Sequence, residues 1–360
     1  MRAVSLFSGC GGLDLGLERA GFEVVFASDI DPCCAVSYGL NFPGVPFYEG
    51  TAGDLTKQLL VKVSKGATLE TIDLLAGGPP CPPFSKSRFY RTEKPRALED
   101  EVGEETINAY LTVLEAVRPR AFILENVAGL AYKVHESALE LILDTAEGLG
   151  YEIAKQVVNA ADYGVPQMRE RFFVVGMLDR TFEFPAPTHA KEPGSTPENA
   201  DRLPWVTAGE EIGDLDTEEN ADDTGHFAGG KYHHLLKEIP PGDNYLYFTA
   251  KRGHPDPQFE WRKRYWSFLL KLSPDLPSWT IQARRSNNMG PLHWRNRILR
   301  IEEVRRLQTF PDDWQLTGTI ERQWRQIGNA VPPLLAEQLG RALSDQLGMV
   351  GAYGQQRQAA

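Results

Sequence analysis

The sequence predicts an α/β fold, with a parallel, doubly wound sheet followed by a smaller, irregular domain. Three observations carry this. Short apolar runs alternate with segments of helical spacing over the first 180 residues or so. Beyond that point Pro, Gly, acidic residues and scattered aromatics replace the alternation. A chain of 360 residues is also long for a single core, so two domains are the natural expectation.

Each element follows from its own pattern. AVSLF (3–7) has the composition of a strand; the turn SGCGG and the helically spaced LDLGLERA come next. VVFAS (24–28) and IDLLA (72–76) read as further strands. TINAYLTVLEAV (106–117) has helical periodicity and leads into the strand AFILEN (121–126). A second amphipathic helix, SALELILDTAEGLG, precedes the strands EIAKQVVNA and FFVVGML. PAPTHAKEPGSTPENADRLP reads as a linker, which sets the domains at 1–181 and 182–290. Helix signals return at IEEVRRLQTF and at PPLLAEQLGRALSDQL, where Pro332 and Pro333 suit a helix start. Residues 291–350 are therefore expected to return to the first domain, and 351–360 to form a flexible tail. QIGNAVPP (326–333) reads as a loop entering a helix, with a Gly-Asn turn before its prolines.

Composition narrows the function classes. Hydrophobic content of 42% with 24% charged residues is that of a soluble globular protein. No uncharged apolar run approaches the roughly 20 residues of a membrane-spanning helix. The start, MRAVSLFSGCGG, lacks the apolar length and cleavage site of a signal peptide. Cys10, Cys33, Cys34 and Cys81 include no CxxC pair and no zinc-ligand spacing. A disulfide framework or structural metal is thus disfavoured, and a reducing cytoplasm is expected. The formal net charge is -11, yet Lys251 to Arg306 holds thirteen Lys and Arg against five Asp and Glu. That basic stretch in an acidic chain is either a phosphate-binding face or a solvated Arg-rich surface.

Chemistry-bearing residues gather after the predicted strands. Gly9, Gly11 and Gly12 sit where a strand turns into a helix, so the backbone can approach a ligand closely. Asp29 ends the second strand, twenty positions after Gly9, where an acidic side chain can bind ribose hydroxyls. Asp14 occupies the place of the third glycine of a dinucleotide fingerprint. An acidic group there suits an amino-acid ammonium better than a pyrophosphate, which favours S-adenosylmethionine over NAD. GGPPCPPFSKS (77–87) sets Cys81 among four prolines, a loop too stiff for a helix or a central strand. A small buried hydrophobe and a positioned nucleophile both remain readings of that thiol. Glu125 ends the strand at 121–126, so Asp29, Cys81, Glu125 and the Gly-rich turn map to one sheet edge, where open α/β sheets bind ligands. Glu125 is thereby a candidate acid/base partner. Arg169 and Arg171 lie two apart before a strand, a spacing that points both to one face, toward phosphate or a carbonyl oxygen.

The ordered set FSGCGGLDLGLERAG, ASDID, GGPPCPPFS, ILENVAGL, QMRERFFVVG, RRLQTFPDDW and QIGNAVPP resembles DNA (cytosine-5) methyltransferases of the prokaryotic restriction-modification type. The resemblance covers nearly the whole chain. It implies a Rossmann-like S-adenosylmethionine-dependent methyltransferase sheet with a smaller, irregular target-recognition domain at 182–290. The catalytic and cofactor-binding domain then begins at 1–181, and 291–350 is its hinge and return. By position, Cys81 resembles the family nucleophile that adds to carbon-6 of a flipped cytosine. Glu125 resembles the residue that hydrogen-bonds ring nitrogen 3 and the exocyclic amine. Arg171 resembles the arginine near the base's carbonyl oxygen, and Arg169 its phosphate-side neighbour. Phe7, Gly9, Gly11, Gly12 and Leu13 match the first cofactor motif. Asp29 matches the ribose carboxylate, Ile30 the residue packing on adenine, and Asp54 the aspartate near the adenine amine. Leu55, Pro80, Asn329 and Ala330 complete the cofactor set. Pro82 stands where the family usually has glutamine, and Met168 where a basic residue is common.

In the recognition region, Arg284, Arg285, Arg295 and Arg297 are the expected neighbours of duplex DNA, with Ser85 from the proline loop. Trp261, Trp266 and Trp279 read either as part of that surface or as core. The resemblance further implies a monomer in a prokaryotic cytoplasm, associated with the nucleoid and acting beside a separate restriction endonuclease. Three other readings compete. A tRNA-methylating relative usually has threonine where Ser85 stands, both Cys81 and Glu125 argue against a non-catalytic relative, and Asp14 argues against an NAD-dependent dehydrogenase.

Overall fold

The computed structural model describes residues 1–51, 54, 72–80, 101–216, 226 and 228–358. In chain order the strands and helices are β1 (Arg2–Leu6), α1 (Gly12–Arg19), β2 (Glu23–Asp29), α2 (Pro32–Asn41), β3 (Phe47–Glu49) and β4 (Leu74–Gly77). Next come α3 (Glu101–Val117), β5 (Ala121–Val127), α4 (Glu136–Gly148), β6 (Glu152–Asn159), β7 (Gln167–Met168) and β8 (Glu170–Met177). The remainder holds β9 (His189–Ala190), β10 (Leu203–Pro204), α5 (Ala208–Ile212), β11 (Ser278–Trp279), α6 (Ile301–Leu307), α7 (Ile320–Asn329) and α8 (Pro333–Gln358). Two compact units result: Met1–Asn159 with Glu170–Ala186 and Ala330–Ala360, and Ala160–Arg169 with Pro187–Asn329.

The first unit is built on a seven-stranded sheet of order β3-β2-β1-β4-β5-β8-β6. Six strands run parallel, and β8 alone is antiparallel to both its neighbours. Strand order reverses between β1 and β4, the switch point at which such sheets hold ligands. Alternation along the strands covers both faces. Val4, Leu6, Leu75, Phe122, Leu124, Phe172 and Val174 join Ile107, Tyr110, Leu114 and Ile142 in one buried cluster. Ala3, Leu74, Ala76, Ala121 and Ile123 alternate with them and are also fully shielded. The Tyr110 hydroxyl, buried with its ring, donates to the carbonyl oxygens of Leu75 at 3.3 Å and Ile123 at 3.1 Å.

Helix α8 lies along α1 through two glycines. A Cβ on Gly16 would meet Ala336, the Glu337 nitrogen at 2.6 Å and the Pro333 oxygen at 2.6 Å. One on Gly340 would meet Ala20 at 2.8 Å. The segment that begins at Ala330 is thus held against the helix that follows the Gly-rich turn.

Three elements escape a reading by periodicity. Helix α2 is short but well started: the Asp31 carboxylate accepts from the Cys33 N–H at 2.9 Å, and Pro32 occupies the first turn. Strand β3 has three residues and pairs with Ala27–Asp29. QIGN, expected as a loop, is the last turn of α7. Gly328 serves there for close approach, since a Cβ on it would meet the Gln282 oxygen at 2.6 Å and Ala283 Cα at 2.8 Å. The helical backbone of α8 also continues over 351–358, a stretch expected as a tail. No proline follows Pro333, and Ala, Gln and Arg favour a helix there against the cost of Gly351 and Gly354.

The second unit is mostly irregular. Its strands are two-residue pairs, β9 with β10 and β7 with β11. Within it, buried Tyr245 and Phe268 stack edge to face with half-buried Tyr232 and Phe259, with centroids 5.3–5.8 Å apart. Among the described residues no helix is long and apolar enough to cross a membrane.

Candidate active site

The carboxyl edge of the sheet gathers the ends of β1, β2, β4 and β5. After β1 the chain turns sharply: Phe7, Gly9 and Gly11 have φ of 56°, 55° and 89°. For Gly9 and Gly11 this conformation is inexpensive, whereas Phe7 needs its surroundings to hold it. A Cβ on Gly9 would meet none of the described atoms within 4 Å, so the turn is open there. Gly11 caps α1, and Gly12 and Leu13 are buried in its first turn.

Asp29 closes β2 beside that turn. One oxygen of its carboxylate accepts from the Gly9 N–H at 2.9 Å and the other from the Asp31 N–H at 2.9 Å. Burial pushes the carboxyl up, and the backbone N–H groups of Asp31 and Gly9 draw it back. Ile30 follows with 65% of its surface exposed, an apolar side chain held out at the sheet edge. Asp54 is exposed and accepts from the Thr51 hydroxyl at 2.7 Å.

Asp14 departs from the expectation that it faces an ammonium group. Its carboxylate is fully buried beneath the turn and accepts from the Ser5 hydroxyl at 2.6 Å. Ser8 donates to the Ser5 oxygen at 2.9 Å, and the Ser28 N–H donates to the Ser8 oxygen at 3.3 Å. Burial pushes the Asp14 carboxyl up to about 6, opposed by Ser5 and by the Tyr38 phenol beside it. The chain Asp14–Ser5–Ser8 supports the turn from behind. A helix residue two places beyond Gly12 projects back toward β1, which is why it cannot face the open side.

The loop after β4 is described as far as Pro80, which is half-buried. Gly78 lies against Glu125: a Cβ there would meet the carboxylate at 2.8 Å. Asn126 donates from Nδ2 to the Pro79 oxygen at 3.1 Å, tying the end of β5 to the start of the proline loop. Asn126 and Gly78 are residues that sequence reasoning missed. The signal was present, because ENV and GGPP adjoin strands that turn out to be neighbours. Cys81, Ser85 and Leu55 lie outside the described residues.

Glu125 is 4% exposed at the end of β5. The Arg171 Nε lies 2.8 Å from its carboxylate oxygen. Register explains the meeting. Antiparallel pairing sets Glu125 opposite Phe173 and Val127 opposite Arg171, so Arg171 is the diagonal neighbour on the same face. Had β8 been parallel, its first residues would lie at the opposite edge of the sheet.

Arg169 does not share that face. It falls between β7 and β8, which pair with different strands, so period-two spacing does not apply across it. Its side chain is completely buried in the second unit, donating to the carbonyl oxygens of Ile281 at 3.1 Å and Gly328 at 2.9 Å. Gln167 nearby donates from Nε2 to the side-chain oxygen of Gln308 at 2.7 Å. Asn329 is exposed at the end of α7, and Ala330 is half-buried where the chain re-enters the first unit.

The four arginines expected near DNA differ in availability. Arg284 is exposed. Arg285 is largely covered, with Nη1 3.5 Å from a Glu321 oxygen. Arg295 donates from Nε to Asp216 at 2.9 Å. Arg297 corrects the expectation outright: it is 4% exposed and grips Glu303 with both terminal nitrogens at 2.8 and 2.6 Å. Glu303 also accepts from the Arg300 N–H at the start of α6, so Arg297 completes a helix cap rather than facing outward. His293, fully buried beside the pair, is held down to about 3 by burial first and then by the adjacent Arg297 charge.

Similarity to known proteins runs over nearly the whole chain. The profile described as C-5 cytosine-specific DNA methylase matches residues 1–345. The type II methyltransferase M.SacI of Streptomyces achromogenes is 36% identical over 382 residues, spanning 98% of this chain and 94% of that one. M.NgoFVII of Neisseria gonorrhoeae is 33% identical over 347 residues, spanning 95% and 86%. The S. pombe Dnmt2 methyltransferase structure superposes with a TM-score of 0.62 at 18% identity, covering 97% and 99%. This last likeness is one of fold.

Proposed function

The chain belongs to the C-5 cytosine-specific DNA methylase family, and from that premise we propose which of its residues carry out the reaction. It is an enzyme that methylates carbon-5 of cytosine in DNA in a sequence-specific manner, with S-adenosylmethionine as donor. The observation that carries the residue assignment is the Glu125–Arg171 pair, set at the carboxyl edge that also holds the Gly-rich turn and the start of the proline loop.

The residues after β1 and β2 fit the donor. Gly9 leaves open space, Asp29 is a carboxylate aligned by backbone N–H groups for ribose hydroxyls, and Ile30 is an exposed apolar surface for an adenine ring. Phe7, Gly11, Gly12, Leu13, Asp54, Leu55, Pro80, Asn329 and Ala330 are the further cofactor contacts of this reading. Bound there, S-adenosylmethionine supplies an electrophilic methyl group.

At the cytosine, the Cys81 thiolate adds to carbon-6, and electron density moves onto carbon-5 and toward ring nitrogen 3. Glu125, as the carboxylic acid, donates to nitrogen 3 and accepts from the exocyclic amine, which stabilises the developing charge. Arg171 keeps the Glu125 carboxyl group oriented and presents a donor toward the base's carbonyl oxygen. Carbon-5 would take the methyl group as the donor's carbon–sulfur bond breaks, leaving S-adenosylhomocysteine; loss of the carbon-5 proton to water then expels Cys81 and restores the aromatic ring. The covalent step divides one difficult substitution into two easier ones. Reaching carbon-6 requires the base to leave the duplex stack. Arg169 serves as a brace within the recognition unit. The rest of this reading is a monomer with recognition carried by 182–290, working in the cytoplasm on nucleoid DNA beside a separate restriction endonuclease.

Sequencing 5-methylcytosine in DNA from cells expressing the protein tests this directly. The expected result is methylation confined to one short sequence context and lost with Cys81→Ala. Unmethylated DNA in cells with the wild type, or methylation that survives the substitution, overturns the assignment.

A further inference from the structure

In the second unit, Arg262, Lys263, Arg264, Tyr265 and Trp266 form five consecutive exposed residues. Three are cations, and Tyr265 and Trp266 expose 53% and 51% of their surface. Beneath them the backbone is fixed by buried groups. The Tyr245 hydroxyl donates to the Arg264 oxygen at 2.9 Å and accepts from the Arg264 N–H at 3.2 Å. Buried Asn244 donates from Nδ2 to the Trp266 oxygen at 2.9 Å, and its Oδ1 accepts from the Leu246 N–H at 3.0 Å. Arg262 holds a φ of +58°, which a non-glycine residue keeps only when its surroundings over-determine it.

The side chains are braced as well. Trp266 meets Trp279 at 5.8 Å between ring centroids, the Arg264 guanidinium sits 5.3 Å from the Phe268 ring centre, and Arg262 lies 5.7 Å from that of Trp261. Among the described residues Lys263 pairs with Glu260 alone, at 4.0 Å with both side chains largely exposed, an attraction worth little in water. By contrast, Arg285, Arg295, Arg297 and Arg306 each face a carboxylate. A rigid backbone that holds cations and amphipathic rings outward is a preorganised binding surface.

We propose that Arg262–Trp266 is a contact segment for duplex DNA, with its three cations on backbone phosphates and the Tyr265 and Trp266 rings against the groove wall. The proposal rests on the DNA-methylating function given above. Each cation on a phosphate releases condensed counterions, so it contributes about 0.9 to the slope of log affinity against log salt.

The test uses the full-length protein and a mixed-sequence duplex, with affinity measured over a series of salt concentrations. The triple variant R262Q/K263Q/R264Q is expected to lower the slope by about two to three. Trp266→Ala is expected to weaken binding without changing the slope. In the unaltered protein, the duplex is expected to shield Lys263 from acetylation, a readout independent of how the variants fold. A slope equal to wild type, or Lys263 acetylated equally with and without DNA, overturns the segment assignment and leaves the methyltransferase function standing. A wild-type protein with no affinity for DNA at any salt overturns both.

Discussion

At the scale of single residues, the Gly-rich turn after β1 is supported by a carboxylate buried behind it. Asp14 lies behind the turn, and the hydroxyls of Ser5 and Ser8 relay its hold to Ser28 on the next strand. A carboxyl raised from 3.8 to about 6 favours folding when protonated; that contribution is complete below pH 4 and is lost as pH rises through 6. The difference amounts to about 3 kcal/mol. Asp14→Asn cannot ionise, so its stability relative to wild type is expected to improve by about that amount between pH 4 and pH 7. Urea unfolding of the two proteins at a series of pH values measures this, and a difference independent of pH would refute it. The sequence showed that Asp14 breaks the dinucleotide pattern, but not which way its side chain points. Direction depends on the packing of α1 against the sheet.

At the scale of elements, contacts between helix pairs and strand pairs set the site. Gly16 and Gly340 let α8 approach α1, and α8 follows Ala330, one of the proposed cofactor contacts. Gly16→Val is expected to force the Pro333 and Glu337 backbone away, since neither atom can yield as a flexible side chain would. Overpacking of this kind costs about 1–3 kcal/mol. The expected outcome is a lower melting temperature together with weaker binding of S-adenosylmethionine, read by calorimetry; unchanged affinity would separate α8 from the cofactor site. Most elements of the first unit were legible because their apolar periods are clean. The exceptions there were α2 and β3, which are short or lack an apolar stripe; in the second unit α7 carries the stripe Ile320, Trp324 and Ile327, but its last turn is a Gly-Asn sequence before prolines that reads as a loop. Their evidence lies in local devices such as the Asp31 cap and the Gly328 approach.

At the scale of the whole molecule, the two units differ in chemistry. The first concentrates carboxylates, glycines and the start of the proline loop at one sheet edge, and the second is irregular and rich in arginine. The charge balance shows the same division: the chain is acidic at -11, yet Lys251 to Arg306 is strongly basic. A duplex carrying 5-fluorocytosine at the target, incubated with S-adenosylmethionine, is expected to trap a covalent protein–DNA adduct, because no proton can leave carbon-5. Denaturing electrophoresis should show the adduct for wild type and not for Cys81→Ala. An adduct that persists without Cys81 would assign the nucleophile elsewhere.

By itself the sequence determined the α/β class, the turn after β1, the carboxylates that end β2 and β5, and the methyltransferase family. These follow from local period, strand ends and ordered motifs, all of which are properties of neighbours along the chain. Only the tertiary structure decided which arginine meets Glu125. Arg169 and Arg171 look alike in sequence, but β8 runs antiparallel and carries Arg171 to Glu125, while Arg169 falls between two strand pairings and is buried on the carbonyls of Ile281 and Gly328. It likewise withdrew Arg297 to cap α6 through Glu303 and left Arg262–Trp266 exposed. Strand direction and burial are settled by partners distant in the chain, and no local pattern records them.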